Sequence, residues 1–98
     1  MNKPYSILDI KNKIAETAKQ YGIQRAYLFG SYARGDAGDE SDIDIFIEKG
    51  NLRTLFEYSG FCQELEETLG NKVDVVSTTN LPDDFKKQIE KDMVLIYE

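Results

Sequence analysis

The amino-acid sequence predicts a small α/β domain in which helices pack on a single mixed sheet. In some segments apolar residues recur every three or four positions, and in others they alternate with polar residues. Segments of the two kinds follow one another along the chain. That alternation of helix and strand signals is typical of the α/β classes. At 98 residues the chain is long enough for one domain with a modest core, so residues 1–98 are expected to form a single unit.

The first helix is expected over residues 7–21. Ser6 is placed to act as its N-cap, because Asp9 follows three residues later, and Gly22 suits its end. The apolar face of this helix consists of Ile7, Ile10, Ile14, Ala18 and Tyr21.

The rest of the chain alternates strands with helices. Strands are predicted at residues 25–29, 43–48, 72–77 and 93–97. Helices are predicted from Ser31 over a few residues, over residues 52–69, and over residues 81–92 with Asn80 as a possible cap. The predicted core-facing residues of the last two helices are Leu55, Tyr58, Cys62, Leu65, Leu69, Phe85 and Ile89. Lysines 86, 87 and 91 lie among acids and predict a solvated helix face.

Composition excludes several classes of function. Histidine is absent, which removes Ser-His-Asp and Cys-His nucleophiles and histidine-bound zinc. A net charge of −6 argues against a general nucleic-acid binder. Cys62 is the single cysteine, the start does not resemble a signal peptide, and no apolar run could cross a membrane, so a cytoplasmic protein is expected. No GxxxxGK[ST] motif is present, which excludes a Walker-type phosphate-binding loop.

Gly30 and Ser31 form a candidate phosphate-binding turn. A strand that ends in glycine and turns into a helix leaves backbone N–H groups free, and glycine allows a phosphate to approach closely. For the dipeptide taken alone, an ordinary tight turn with Ser31 as the helix cap is the simpler interpretation. Arg34 is a candidate phosphate contact or the partner of a nearby carboxylate, and Gly35 is expected to end the short helix with a positive φ.

Asp42 and Asp44 form a candidate metal site. Residues i and i+2 of a strand lie on the same face, about 6.5–7 Å apart along the backbone, so the two carboxylates can converge on one or two cations. Oxygen ligands favour Mg²⁺, Mn²⁺ or Ca²⁺. A solvated polar face of an edge strand is the alternative. Asp74 can join the pair if its strand lies beside the strand of Asp44, and otherwise it belongs to the outward face of an amphipathic strand.

The combination of GSYARG, SDIDIFIE and VDVV resembles the minimal nucleotidyltransferase (MNT) domain of the DNA polymerase beta-like superfamily. The resemblance covers about residues 7–97. It implies a polymerase beta-like fold and transfer of a nucleoside monophosphate from a nucleoside triphosphate, with release of pyrophosphate. By position, Gly30, Ser31 and Arg34 would bind the nucleotide. Asp42, Asp44 and Asp74 would be catalytic and would bind divalent metal, expected to be two Mg²⁺ ions with Mn²⁺ as a possible substitute.

Chains of this kind resemble the antitoxins of HEPN/MNT toxin–antitoxin pairs. The resemblance implies transfer of AMP from ATP to a tyrosine of a HEPN ribonuclease toxin. From the net charge and the lack of a long apolar run, we expect no direct contact with nucleic acid or a membrane. Two alternatives remain open. The chain could neutralise a partner by contact alone, or it could modify a small molecule, for which a homo-oligomer would have to supply the pocket because the chain is short.

Overall fold

The computed structural model describes residues 5–38, 40–77 and 81–98. Four strands form one sheet in the order β3-β2-β1-β4. Strand β1 is antiparallel to both of its neighbours, β2 and β4, whereas β2 and β3 are parallel. The elements in chain order are α1 (Ile7–Gln20), β1 (Arg25–Phe29), α2 (Gly30–Arg34), β2 (Ile43–Glu48), α3 (Leu55–Leu69), β3 (Val73–Ser77), α4 (Asp83–Asp92) and β4 (Val94–Tyr97). The predicted α/β class with a small mixed sheet is confirmed.

One face of the sheet carries the core. Alternation along β2 directs Ile43, Ile45 and Ile47 to this face, and all three side chains are fully buried. Helices α1 and α3 pack against each other and cover these residues with their own apolar stripes. Helices α1 and α3 and one face of the four-stranded sheet therefore enclose most of the buried apolar side chains.

Capping boxes begin both long helices. In α1 the Ser6 hydroxyl accepts a hydrogen bond from the backbone N–H of Asp9, as predicted, and the Asp9 carboxylate accepts one from the N–H of Ser6. Thr54 and Glu57 form the same pair at α3. The predicted start of this helix, three residues earlier, is therefore wrong. The Thr54-x-x-Glu57 spacing was a readable signal for the true start.

Helix α3 buries Leu65 and Leu69 as predicted and packs Tyr58 against the core, but the N-terminal part of its predicted apolar face is wrong. Phe61 is fully buried together with Leu65 and Leu69, whereas Leu55 is 83% exposed. Cys62 is half-buried, beside this stripe. Leu55 is the first residue of the helix, and Leu52, which precedes the helix, is buried in the core instead.

The opposite face of the sheet is covered mainly by α4. Ile89 is the buried residue of this helix, and it lies near Tyr27 and Phe46, whose rings pack at a centroid distance of 6.0 Å. Phe85 was expected in the core but is 41% exposed, whereas Ile89, one turn later, is 3% exposed and is the residue that α4 buries. Asn80, the predicted cap, lies outside the described residues, and Pro82 precedes the first turn of α4.

Among the described residues, no helix combines the length and the apolar character needed to span a lipid bilayer.

Candidate active site

The site begins where β1 turns into α2. Gly30 has a φ of +73°, in the left-handed region that glycine adopts readily. Phe29, the preceding residue, pairs with Asp44 in the register of β1 and β2, so the Asp44 carboxylate lies directly against Gly30. A Cβ at position 30 would overlap Oδ2 of Asp44 and would lie 3.1 Å from its Cγ. Only glycine fits between this turn and that carboxylate.

Asp74 lies beside Asp44 on the next strand. The parallel register of β2 and β3 pairs the two residues directly, as the metal-site hypothesis required. Asp42 precedes the first residue of β2 and lies two positions before Asp44, so strand alternation places it on the same side. Its Oδ2 atom is 4.0 Å from Nζ of Lys72, a weak and largely exposed ion pair. The three aspartates thus share one end of one face of the sheet.

The electrostatics of this group are unfavourable for the protein alone. Burial raises the pKa of Asp44, and the nearby carboxylates of Asp74 and Asp42 raise it further. The positive charge of Arg34 acts in the opposite direction but is the smallest of these effects. No lysine or arginine in the described parts of the chain forms an ion pair with Asp44 or Asp74. A half-buried carboxylate beside two others, without an ion-paired cation, is a place where a divalent cation would be bound favourably.

The donor set suits Mg²⁺ bound together with a phosphate. As placed, the described residues contain no group of three Asp, Glu, Cys or His side chains that could hold an ion by themselves. Mg²⁺ rarely needs such a cage, because it is usually held by one or two carboxylates while water and substrate phosphates fill the remaining positions. Asp42 and Asp44 are the residues that would supply those carboxylates. The residues present therefore fit a metal that arrives with its nucleotide.

Arg34 forms the carboxylate pairs of its predicted structural role, and its predicted contact with phosphate stays a prediction. Its guanidinium pairs with Asp36 at 3.3 Å and with Asp92 of α4 at 3.4 Å, so the structural role is observed. These exposed pairs are weak interactions, and the same guanidinium lines a cleft that reaches Gly30. Gly35 ends α2 with a φ of +84°, as predicted.

The cleft between α2 and α4 was missed by the sequence analysis. It has a volume of about 320 Å³ and is lined by Phe29, Gly30, Arg34, Phe85, Gln88, Ile89, Lys91 and Asp92. The three lysines of α4 resemble one another in the sequence. Lys91 alone of them lines this cleft. Lys87 lies one turn earlier along the same side of the helix, and Lys86 lies on a different side. Nothing in the sequence pattern marks which lysine faces a neighbouring element.

The fold and the arrangement of these residues match one known class of protein, the nucleotidyltransferases. The family model described as polymerase beta, nucleotidyltransferase matches residues 12–98. The chain belongs to this family, and the predicted membership is confirmed.

Sequence relatives carry a more specific name. A protein of Methanocaldococcus jannaschii, provisionally named a protein adenylyltransferase, is 38% identical over 89 residues, which are 91% of this chain and 96% of that protein. The protein adenylyltransferase MntA of Thermococcus cleftensis is 31% identical over 91 residues, covering 93% of this chain and 90% of its own.

Two solved structures share the fold. A structure provisionally named a minimal nucleotidyltransferase superimposes with a TM-score of 0.79 at 26% identity and covers 95% of this chain and 98% of its own. A crystal structure of a toxin–antitoxin with AMP-PNP gives a TM-score of 0.76 at 26% identity, over 88% of this chain and 71% of its own.

Proposed function

We propose that this chain is a Mg²⁺-dependent protein adenylyltransferase that transfers AMP from ATP to a hydroxyl group of a protein partner. The observation that carries the proposal is the packing of the Asp44 carboxylate between Gly30 and Asp74. Gly30 allows a phosphate to approach the backbone at the point where the carboxylates would hold a cation. In nucleotidyl transfer, such positioning and charge neutralisation supply most of the catalysis.

The proposed roles follow from the positions of the residues. Asp42 and Asp44 would bind Mg²⁺, which neutralises the charge of the triphosphate and of the transition state. Gly30, Ser31 and Arg34 would contact the triphosphate. The hydroxyl oxygen of the acceptor attacks the α-phosphorus and forms the new P–O bond. The bond from the α-phosphorus to the oxygen that bridges to the β-phosphorus breaks, and pyrophosphate leaves with that electron pair. The proton of the hydroxyl passes to the carboxylate of Asp74.

An acceptor on a macromolecule fits the position of Asp74. This residue is exposed and lies on β3, which is an edge strand of the sheet. A protein hydroxyl can therefore reach the carboxylate without entering a deep pocket. The names of the sequence relatives support a protein acceptor, and the toxin–antitoxin structure with AMP-PNP supports a toxin as that partner. We take the acceptor to be a tyrosine of a HEPN-type toxin and the chain to be its antitoxin.

The direct test uses ATP labelled at the α-phosphate, Mg²⁺ and a HEPN-type toxin as the candidate acceptor. Transfer of label to the toxin is expected with the parent protein and is expected to be lost in the double variant Asp42→Asn, Asp44→Asn. The matched control, Glu40→Gln with Glu67→Gln, removes two exposed carboxylates and should keep full transfer. Label transfer by the Asp42, Asp44 variant would refute the assignment of these residues.

An assay of toxin neutralisation distinguishes an antitoxin that modifies its partner from one that only binds it. An enzyme that acts by modification should lose its protective effect in the Asp42, Asp44 variant and should protect when present in less than equimolar amounts. Equal protection by the variant would instead show that the chain silences its partner by binding. If a small molecule were labelled and the toxin were not, the acceptor would be that small molecule and not a protein.

A further inference from the structure

The cleft between α2 and α4 adjoins the proposed active site through Gly30. Gly30 lines the cleft, and the Asp44 carboxylate packs against the same residue. The cleft therefore continues directly from the aspartates, on the side away from Asp74. A nucleotide whose α-phosphate lies at the aspartates would extend a part of itself into this space of about 320 Å³.

Two cationic side chains line the cleft, although the chain as a whole is acidic with a net charge of −6. Arg34 comes from α2 and Lys91 from the last turn of α4. The single anion in the lining, Asp92, pairs with Arg34 at 3.4 Å. Lys91 pairs with no carboxylate among the residues that the structure describes. The lining therefore carries one more positive than negative charge.

We propose that this cleft binds the β- and γ-phosphates of the nucleoside triphosphate, and that Lys91 is a specific contact for them beside Arg34. The proposal rests on the nucleotidyltransferase function and adds α4 to the site. A cation at this place would also stabilise the negative charge that develops on pyrophosphate as it leaves. Because ammonium and guanidinium groups bind phosphate oxygens strongly, both lysine and arginine suit this role.

The competing occupant of the cleft is the nucleobase. Phe29 and Phe85 provide aromatic surface there, and an aromatic side chain can stack on a base. The charge of the lining favours phosphate, since a neutral base gains little from an ammonium group. The two possibilities differ in which part of ATP interacts with Lys91, so comparing ATP with AMP distinguishes them.

The first experiment measures dissociation constants by calorimetry for Mg²⁺·ATP and for AMP, without acceptor. Lys91→Gln should weaken Mg²⁺·ATP binding by about five- to tenfold and should change AMP binding by less than about twofold. Lys87→Gln removes the same charge from the same helix but does not line the cleft, so it should bind both ligands like the parent. Equal effects of the two substitutions would overturn the proposal, and so would an equal loss of ATP and AMP affinity in Lys91→Gln.

A second pair of variants changes the charge in the opposite direction. Asp92→Asn removes the carboxylate that holds Arg34 and should tighten Mg²⁺·ATP binding by about two- to fivefold. Glu90→Gln makes the same charge change on α4 outside the cleft and should leave the affinity unchanged. Weaker ATP binding by Asp92→Asn with an unaltered melting temperature would contradict a phosphate site in the cleft.

Measurements of ATP binding and AMP transfer by the parent protein distinguish a failure of this proposal from a failure of the proposed function. If the parent binds Mg²⁺·ATP and transfers AMP while the Lys91 and Lys87 variants behave alike, the cleft proposal fails and the function stands. If the parent does not bind Mg²⁺·ATP, both fail.

Discussion

Asp44 contacts a turn on one side and faces another acid on the other. Gly30 belongs to the element that follows β1, and Asp74 belongs to β3, so three parts of the chain meet at one carboxylate. Burial and like charges both disfavour ionisation there, and the raised pKa of Asp44 expresses that cost. An aspartate at this position lowers the stability of the ligand-free protein and favours the binding of a cation.

Replacing Asp44 by asparagine should therefore raise the melting temperature of the ligand-free protein by a few degrees near pH 7. Because its pKa is raised, the folded protein holds the Asp44 proton more tightly than the unfolded chain does. The ionised carboxyl consequently lowers stability above that pKa, and the effect disappears below the ordinary aspartate pKa of about 3.9. Thermal melts across pH check this. Glu40→Gln should show no such gain, and a variant no more stable than the parent at pH 7 would contradict the argument.

The glycines at the two ends of α2 provide a second test at this scale. Gly30 and Gly35 both have positive φ values, so alanine introduces backbone strain at either place, on the order of 1 kcal/mol. Nothing lies within 4 Å of a Cβ at Gly35, whereas a Cβ at Gly30 would collide with Asp44. Both variants should melt several degrees lower, but only Gly30→Ala should lose AMP transfer. Activity in Gly30→Ala equal to that in Gly35→Ala would show that the contact with Asp44 is not needed.

At the scale of elements, α3 is positioned by its cap as much as by its apolar stripe. The Thr54 hydroxyl and the Glu57 carboxylate satisfy backbone N–H groups that would otherwise lack partners in the first turn. These hydrogen bonds to backbone N–H groups also lower the pKa of Glu57. The cap fixes where the helix begins, and the start of the helix sets which residues reach the sheet.

Removing the cap should weaken the fold without affecting the chemistry. Thr54→Ala is expected to reduce the free energy of unfolding by about 1 kcal/mol, measured by urea denaturation. Ser59→Ala, an exposed position within the same helix, should be neutral or slightly stabilising because alanine is the better helix former. AMP transfer should be unchanged in both variants, since α3 packs on the face of the sheet opposite the site. No loss of stability in Thr54→Ala would mean that tertiary packing alone sets the helix start.

At the scale of the whole molecule, a small domain keeps a cluster of three acids whose negative charge a bound cation would neutralise. Ligands that bind the folded state alone stabilise it by mass action, by about 2.7 kcal/mol at a concentration one hundred times the dissociation constant. Folding stability and nucleotide binding should therefore be coupled throughout this protein.

Mg²⁺ together with ATP should raise the melting temperature by several degrees at millimolar concentrations, and Mg²⁺ alone should raise it less. Differential scanning fluorimetry with both ligands, separately and together, measures the effect. The double variant at Asp42 and Asp44 should show almost no shift. An equal shift in that variant would mean that the nucleotide binds elsewhere, and no shift in the parent would count against a triphosphate site.

Much of the fold could be predicted from local signals. The first helix begins at its Ser6 cap, β1 spans the predicted residues, and Gly35 ends the short helix as expected. Helix α3 was less accurately predicted. Leu55 and Phe61 both fit an apolar stripe in the sequence, and only packing against α1 decided that Phe61 is buried.

The candidate site, too, could be predicted from the sequence only in part. The same-face placement of Asp42 and Asp44 follows from strand periodicity alone. The pairing of Asp74 with Asp44 does not, because it depends on β3 lying parallel to β2 in one particular register. The roles of these residues remain predictions that the labelling experiment tests.

The sequence by itself determined the order of elements, the caps and the three motifs, because each depends on residues fewer than about ten positions apart. The tertiary structure decided which distant residues meet. It brought Asp74 to Asp44 across thirty positions of the chain, and it brought Lys91 into one cleft with Arg34. Strand register and helix orientation depend on how the apolar surfaces of all elements are buried together. A local sequence pattern does not carry that information.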